Sequence, residues 1–327
     1  MKAVIAARVL TLLALSAIGL SPGAVRAADY PNRPIHWIVP YAAGGTTDVI
    51  ARHVAQAISQ TVGWTIVIDN RGGAGGRIGM NAVAKADPDG YTLLVSDASL
   101  ATAPSLYAQL PFDTGKDLVP IAMFATVPHI VVVSSEVKAD SLDELIALAK
   151  KDPGKLNFGS GGVGSPLHLA GEALRAETGI PWTHVPYRGA GPVIIALIAN
   201  EVQVATPSLP AALPQVQAGK LRALAVMSPK RLAVLPDVPT AAELGFPKAT
   251  VQGWVGLHAP AGTPPAILSV IEAAATKALQ NPELRERLAA QGADVSAETG
   301  AAYGKLVADE TARWKQVVEA AGIPPQQ

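Results

Sequence analysis

The chain has 327 residues, 49% of them hydrophobic and 16% charged, which is enough apolar material for one large or two ordinary domains and too much for a disordered chain. It contains no cysteine, so disulfides and thiolate metal sites are excluded. Its 26 basic residues balance 26 acidic ones, which leaves no basic excess to attract nucleic acid.

The N-terminus reads as a leader. Lys2 and Arg8 precede an apolar run from Val9 to Leu20, too short to span a bilayer as an ordinary helix. "SPGAVRA" follows, with Val25 and Ala27 at the −3 and −1 places of a cleavage site. Residues 1–27 are therefore expected to be a cleavable secretory signal peptide. The exported remainder is expected to be soluble, with three more acidic than basic residues.

Beyond the leader, strand-like and helix-like runs alternate. "IHWIVP" (35–40), "TIVIDN" (65–70) and "YTLLVS" (91–96) are short, apolar and rich in β-branched residues. Between the first two, "TTDVIARHVAQAISQTVG" places Val49, Ile50, His53, Val54, Ala57 and Ile58 on one helical face. Thr46 or Thr47 is the expected N-cap and Gly63 the expected stop. The pattern restarts after "PIAMFATVPHIVVVS" with the helix "DSLDELIALAKKDPG" and the strand "LNFGS". The helix "PLHLAGEALRAETG", the strand "THVPY", the helix "PVIIALIAN" and the strands "VQVAT" and "LRALAV" follow. "WVGLHAP" then precedes helices at 264–280, 282–291 and 301–321. This βα patterning predicts an α/β fold with mixed, mostly parallel sheets. Two lobes are expected, residues 28–130 with 251–327 and residues 131–250, joined by a hinge and separated by a cleft.

Two glycine-rich turns stand in corresponding places. "PYAAGGTTD" (40–48) leads from the first strand into the first helix, and "GSGGVGS" (159–165) does the same in the second lobe. A helix N-terminus presents unpaired N–H groups and the positive end of the helix dipole. Glycine lets an anion approach that backbone closely. Thr46, Ser160 and Ser165 add hydroxyl donors, so two facing turns would clamp a carboxylate without a charged side chain. Taken alone, each turn is also consistent with a tight turn and cap.

The second turn contains a G-x-G-x-x-G at Gly159, Gly161 and Gly164. A dinucleotide site needs an acid about 20 residues further on, at the end of the next strand. No acid lies between Ile180 and Asn200, and export separates the chain from the cytoplasmic nicotinamide pool. Neither a metal-binding histidine spacing nor a G-x-S-x-G elbow is present, so no metal, cofactor or catalytic residue is expected. His168, one turn into its helix, either touches a ligand or steadies the turn. His184 is placed to hydrogen-bond across the interlobe boundary, and Asp48 to serve as a first-turn helix acid.

The ordered motifs "YPNRPIHWIVPYAAGGTTDVIARHVA", "VIDNRGGAGGRIGMNAVAKADPDGYTLL", "LPFDTGKDLVPIA", "HVPYRGAGP", "AGKLRALAV", "LPDVPTAAELGFP" and "WVGLHAPAGTPP" resemble the Bug family. These are periplasmic solute-binding proteins of tripartite tricarboxylate transporters, and the likeness runs from about Tyr30 to Gly322. It implies a two-lobed periplasmic-binding-protein fold that closes around one small organic carboxylate and delivers it to membrane transporter subunits. It also implies a non-enzymatic, periplasmic protein, expected here as a monomer with no nucleic-acid partner. The implied ligand contacts are Tyr41, Ala43, Gly44, Gly45 and Thr46 in the first turn, and Ser160, Gly161, Gly162, Gly164, Ser165 and His168 in the second. Ser96 and Ser99 in the loop after the third strand, Ala190 in "YRGAG" and Ser208 complete the set. Tyr41 stands where many relatives have Phe. The run "VATPSLP" carries no acid where many relatives have one, which favours a ligand without positive charge. An alternative role is an orphan sensor that presents bound carboxylate to a membrane kinase.

Overall fold

The computed structural model describes residues 30–320 except residue 297. The expected signal peptide, residues 1–27, lies outside the described residues.

The first elements of the described residues are a strand, β1 (Ile35–Val39), then helix α1 (Thr46–Val62) and β2 (Ile66–Asn70). After a short 3₁₀ turn come α2 (Arg77–Ala84), β3 (Thr92–Asp97), α3 (Ser99–Leu106) and the long β4 (Leu118–Pro128). One residue separates β4 from β5 (Ile130–Ser134). Then follow α4 (Leu142–Lys151), β6 (Asn157–Ser160), α5 (Pro166–Thr178), β7 (Thr183–Pro186) and α6 (Ala190–Ile198). β8 (Val204–Ala205), α7 (Leu209–Gln217) and β9 (Leu221–Val226) finish that region. The chain returns through β10 (Gln252–Pro260), α8 (Pro265–Leu279), α9 (Pro282–Ala290), β11 (Asp294–Val295) and α10 (Gly300–Ala320).

The strands form two sheets, ordered β11-β4-β10-β3-β1-β2 and β7-β6-β8-β5-β9, and these are the bases of two lobes. Both sheets are mixed, as expected, but parallel pairing does not predominate. It is confined to β2-β1-β3 and β7-β6-β8. β10 pairs antiparallel with β3 and β4, β11 with β4, and β5 with β8 and β9. A strand that enters a sheet from the other lobe is not held to the parallel direction by a crossover helix and can pair antiparallel.

Period-two alternation builds the cores. Ile35, Trp37 and Val39 of β1 face a core filled by Ile50, Val54 and Ile58 of α1 and Ile267 and Ile271 of α8. Val132 of β5 joins Val193, Leu197 and Leu213 in a core under α6 and α7. Ile38, Val131 and Val133 face the other way, into a third core that runs through both lobes with Leu100, Leu106, Phe158 and Leu174. Full burial of a side chain of this size contributes about 1.5–3 kcal/mol.

The two connections between sheets lie side by side. The Met227 N–H donates to the His129 carbonyl, and the Val251 N–H to the Met227 carbonyl, at 2.8 Å each. His129 is the single residue between β4 and β5.

Candidate functional site

Both glycine-rich turns follow C-terminal strand ends, where open α/β sheets hold their ligands. The first is built by the helix it precedes. Its N-cap is Gly45, with no side-chain cap, so Thr46 and Thr47 lie inside the helix rather than capping it. Asp48, at the third helical position, takes the capping load instead. It accepts from the Gly44 N–H (3.0 Å), from Asn70 Nδ2 (3.0 Å) and from Arg52 (Nε, 3.0 Å). Burial raises the Asp48 pKa, but these hydrogen bonds and the Arg52 charge outweigh it and leave Asp48 below the ordinary carboxylate value. Gly63 ends α1 in the left-handed conformation, φ +76°, as expected.

The second turn is capped by a side chain. Ser165 Oγ accepts from the His168 N–H at 3.3 Å, and Pro166 occupies the first helical position. His168 Nδ1 accepts from the Gly164 N–H (3.2 Å), and its ring stacks on His184 at 4.3 Å. His184 bonds Ser160 Oγ within the same lobe (2.5 Å), not across the boundary. Burial, helped by His184 and Arg175, pulls the His168 pKa down to about 3, so the ring is neutral and steadies the turn.

The lobes meet at these turns. Ser208 Oγ donates to Thr46 Oγ1 (2.7 Å), Tyr107 Oη to the Val163 carbonyl (2.7 Å) and the Ala42 N–H to the Arg188 carbonyl (3.1 Å). Glycines allow the approach. A Cβ at Gly75 would lie 2.3 Å from the Val163 carbonyl oxygen, and one at Gly191 2.5 Å from that of Ala43. The cavity enclosed is narrow, about 30 Å³, room for about two water molecules. Neither a dinucleotide nor an organic acid of several carbons enters that space unless the lobes part.

Four helix N-termini converge on the cavity. Gly45, Ser165, Gly189 and Ser208 are the N-caps of α1, α5, α6 and α7, and all four line it. The first turn of each helix leaves N–H groups without intrahelical partners and carries partial positive charge. Among the described residues, no lysine or arginine lines the cavity. Trp254 does, and its buried indole N–H has no partner among the described residues.

Of the residues expected to meet a ligand, the structure brings Tyr41, Gly45, Thr46, Gly161, Ser165, Ala190 and Ser208 to the cavity wall. It does not bring the others. Ala43 and Gly44 are exposed, and the Gly44 N–H is used by Asp48. Ser160 closes its own turn through Gly162 and His184. Gly162 packs towards Gly75, and Gly164 towards Leu106 and Tyr107. His168 is committed to Gly164. Ser96 points into the core, where Oγ meets His258 Nδ1 (2.8 Å) and donates to the Gly256 carbonyl (3.1 Å). Ser99 starts α3, where a loop was expected, and donates to Asp97.

Asp97 is the largest surprise. The run 204–210 carries no acid, yet an acid from the other lobe, Asp97, lines the cavity at the end of β3. Burial pushes its pKa up, opposed by hydrogen bonds from Ser99, Thr47 and Tyr41, and the balance lies above the ordinary value. Period-two alternation was the available signal, since Ser96 and Asp97 must face opposite ways. His129, Gly253, Trp254 and Val255 also line the cavity, although their segments read as ordinary apolar strands.

Comparison with known proteins supplies the context. Residues 50–323 match the family model "Tripartite tricarboxylate transporter family receptor". The chain is 41% identical over 300 residues to "Protein BugT" of Bordetella pertussis, covering 91% of this chain and 92% of the relative. The solved periplasmic binding protein BugD superposes with a TM-score of 0.89 at 34% identity, covering 91% of this chain and 100% of that one. The R. palustris protein Rpa4515, solved with adipate, gives 0.87 at 34% identity, with 91% and 100% covered.

Proposed function

Because the chain belongs to the tripartite tricarboxylate transporter receptor family, we propose that it is a periplasmic receptor that captures a small organic carboxylate and delivers it to the membrane subunits of such a transporter. The observation that carries this reading is the convergence of four helix N-termini on one enclosed interlobe cavity. Unpaired N–H groups and aligned dipoles stabilise a carboxylate without help from a cationic side chain. The adipate in the related Rpa4515 structure supports the ligand class.

The receptor acts as a monomer and by hinge closure. We divide it into residues 28–130 with 251–327 and residues 131–250; the connections between the two sheets, at His129 and between Val226 and Gln252, lie close to these bounds and support the division. Contacts such as Ser208–Thr46 exist only when the lobes meet, so a ligand that bridges them favours the closed state. Tyr41, Thr46, Gly161, Ser165, Ala190 and Ser208 are the contacts we assign to the ligand.

A thermal-shift screen of mature, refolded protein against aliphatic dicarboxylates, hydroxy acids, aromatic carboxylates and amino acids tests the reading. A ligand at 100 times its Kd should stabilise the protein by about 2.7 kcal/mol. If no carboxylate raises the melting temperature, the reading is wrong.

A further inference from the structure

The cavity is chemically lopsided. Its helix N-termini offer donors. Its floor, where β3 and the β4–β5 connection flank β10, offers two side-chain acceptors, Asp97 and His129, beside the Trp254 indole N–H. In the sheet Val255 of β10 lies opposite Asp97, and Gly253 opposite Val127.

Asp97 can be accounted for atom by atom. Oδ1 accepts from the Ser99 N–H (2.9 Å), Ser99 Oγ (2.6 Å) and Tyr41 Oη (3.2 Å). Oδ2 accepts from Thr47 Oγ1 alone, at 3.1 Å. A carboxylate offers about four acceptor positions, two on each oxygen. Oδ1 is fully used, and Oδ2 keeps one position. Every one of these partners is neutral, and the group is 5% exposed.

His129 supplies a second acceptor. Its Nδ1 lies 2.8 Å from the Thr206 carbonyl oxygen, which can only accept, so Nδ1 carries the proton. Burial lowers the His129 pKa to about 4, so the ring is neutral and Nε2 accepts. Both residues line the cavity.

Resting on the carboxylate-receptor reading, we propose that Asp97 and His129 form an acceptor subsite. It selects ligands that carry, beside their carboxylate, a hydrogen-bond-donating hydroxyl or ammonium group. The carboxylate lies at the helix N-termini and the donor completes Asp97 Oδ2. A plain dianionic dicarboxylate would instead set its second carboxylate against Asp97, with no cation between two buried like charges. Tyr41 takes part by holding Oδ1 through its hydroxyl, the atom that distinguishes it from Phe.

Matched trios at each chain length from three to six carbons test this by calorimetry: the α,ω-dicarboxylate, the ω-hydroxy acid and the ω-amino acid. At the preferred length, one or both donor-bearing acids should bind at least tenfold more tightly than the dicarboxylate. Asp97→Asn, checked for folding by thermal melting, should reduce that preference to about threefold or less. The amino acid should lose most, because the substitution removes the charge. A dicarboxylate that binds as tightly as both partners at every length overturns the proposal in the wild-type protein alone. So does a folded Asp97→Asn protein with an unchanged preference. If no trio member binds, the six-carbon dicarboxylate adipate included, and no acid of the thermal-shift screen binds either, the receptor reading falls and the subsite falls with it.

Discussion

The turn at 40–48 is open on its outer side, with Ala43 and Gly44 exposed, and it is braced by the Asp48–Arg52 ion pair and the Asn70 amide. The turn at 159–165 lies against the other lobe and is braced by Ser165, His168 and the stacked His184. The two have similar composition and reach the same cavity. They differ in what holds them, and so in the conditions that should loosen them. A glycine-rich sequence therefore specifies a turn that can admit an anion, while its neighbours specify how firmly the turn is held.

Acid should separate the two turns most strongly. His168 has a folded pKa of about 3 against an ordinary 6.5, so the unfolded chain binds its proton more readily. The stability this contributes is complete above about pH 6.5 and is lost as pH falls towards 3. The buried His129, at about 4, and His258, at about 3, act in the same direction. Each histidine should cost up to about 1.4 kcal/mol per pH unit below 6.5. Asp48 lies below its ordinary value, so its contribution survives until the pH drops under about 3.8. Melting temperatures from pH 7 to 4 should fall steeply for the wild type. They should fall less for His168→Asn, which keeps an acceptor for the Gly164 N–H but cannot titrate. Equal slopes would show that the second turn is not the acid-sensitive one.

The next test breaks the meeting of the lobes. Gly191→Ala puts a methyl group against the Ala43 carbonyl oxygen, at 2.5 Å before relaxation, and Gly191 needs no left-handed backbone. Affinity for a bound carboxylate should fall by about tenfold or more, equivalent to about 1.4 kcal/mol, while the ligand-free melting temperature stays nearly constant. Small-angle scattering with saturating ligand should show a larger radius of gyration than the wild type. Unchanged affinity would mean that the two turns do not work as a pair.

Smaller effects sharpen the comparison. Ser165→Ala removes the N-cap side chain of the second turn, a position that is glycine in the first, and should cost about 1 kcal/mol of stability. Thr46→Ala removes no cap, only the bond to Ser208 across the lobes. Chemical denaturation should leave Thr46→Ala within about 0.5 kcal/mol of wild type. Its ligand affinity should drop by about two- to tenfold, the worth of one hydrogen bond.

Much of the fold was legible because its signals are local. Helix periods, the stop at Gly63 and the β-branched strands all follow from nearest-neighbour chemistry. The helices α3, "SLATAPSL", and α7, "LPAALPQVQ", were not read, because each carries an internal proline, Pro104 or Pro214, and neither shows a clear apolar stripe. Packing overrides that weak propensity by burying Leu100, Leu106, Leu209 and Leu213. The candidate site was legible where backbone makes it, at the two turns and at Ala190 and Ser208. It was not legible where strand register makes it. One residue separates Ser96 in the core from Asp97 on the cavity, and only the pairing of β3 with β10 shows which faces which way. His129 was hidden for another reason. Its importance comes from being the single residue between strands of different sheets.

The helix N-termini that converge on the cavity have a consequence for how such a receptor changes over generations. Main-chain N–H groups belong to every residue except proline, so most single substitutions leave the carboxylate-holding capacity in place. The side chains at the strand ends carry no such protection. A lineage can therefore exchange Asp97 or Tyr41 and shift what it collects while never losing the ability to hold an acid. Gene duplication would then yield families of receptors with one shared grip and many separate tastes.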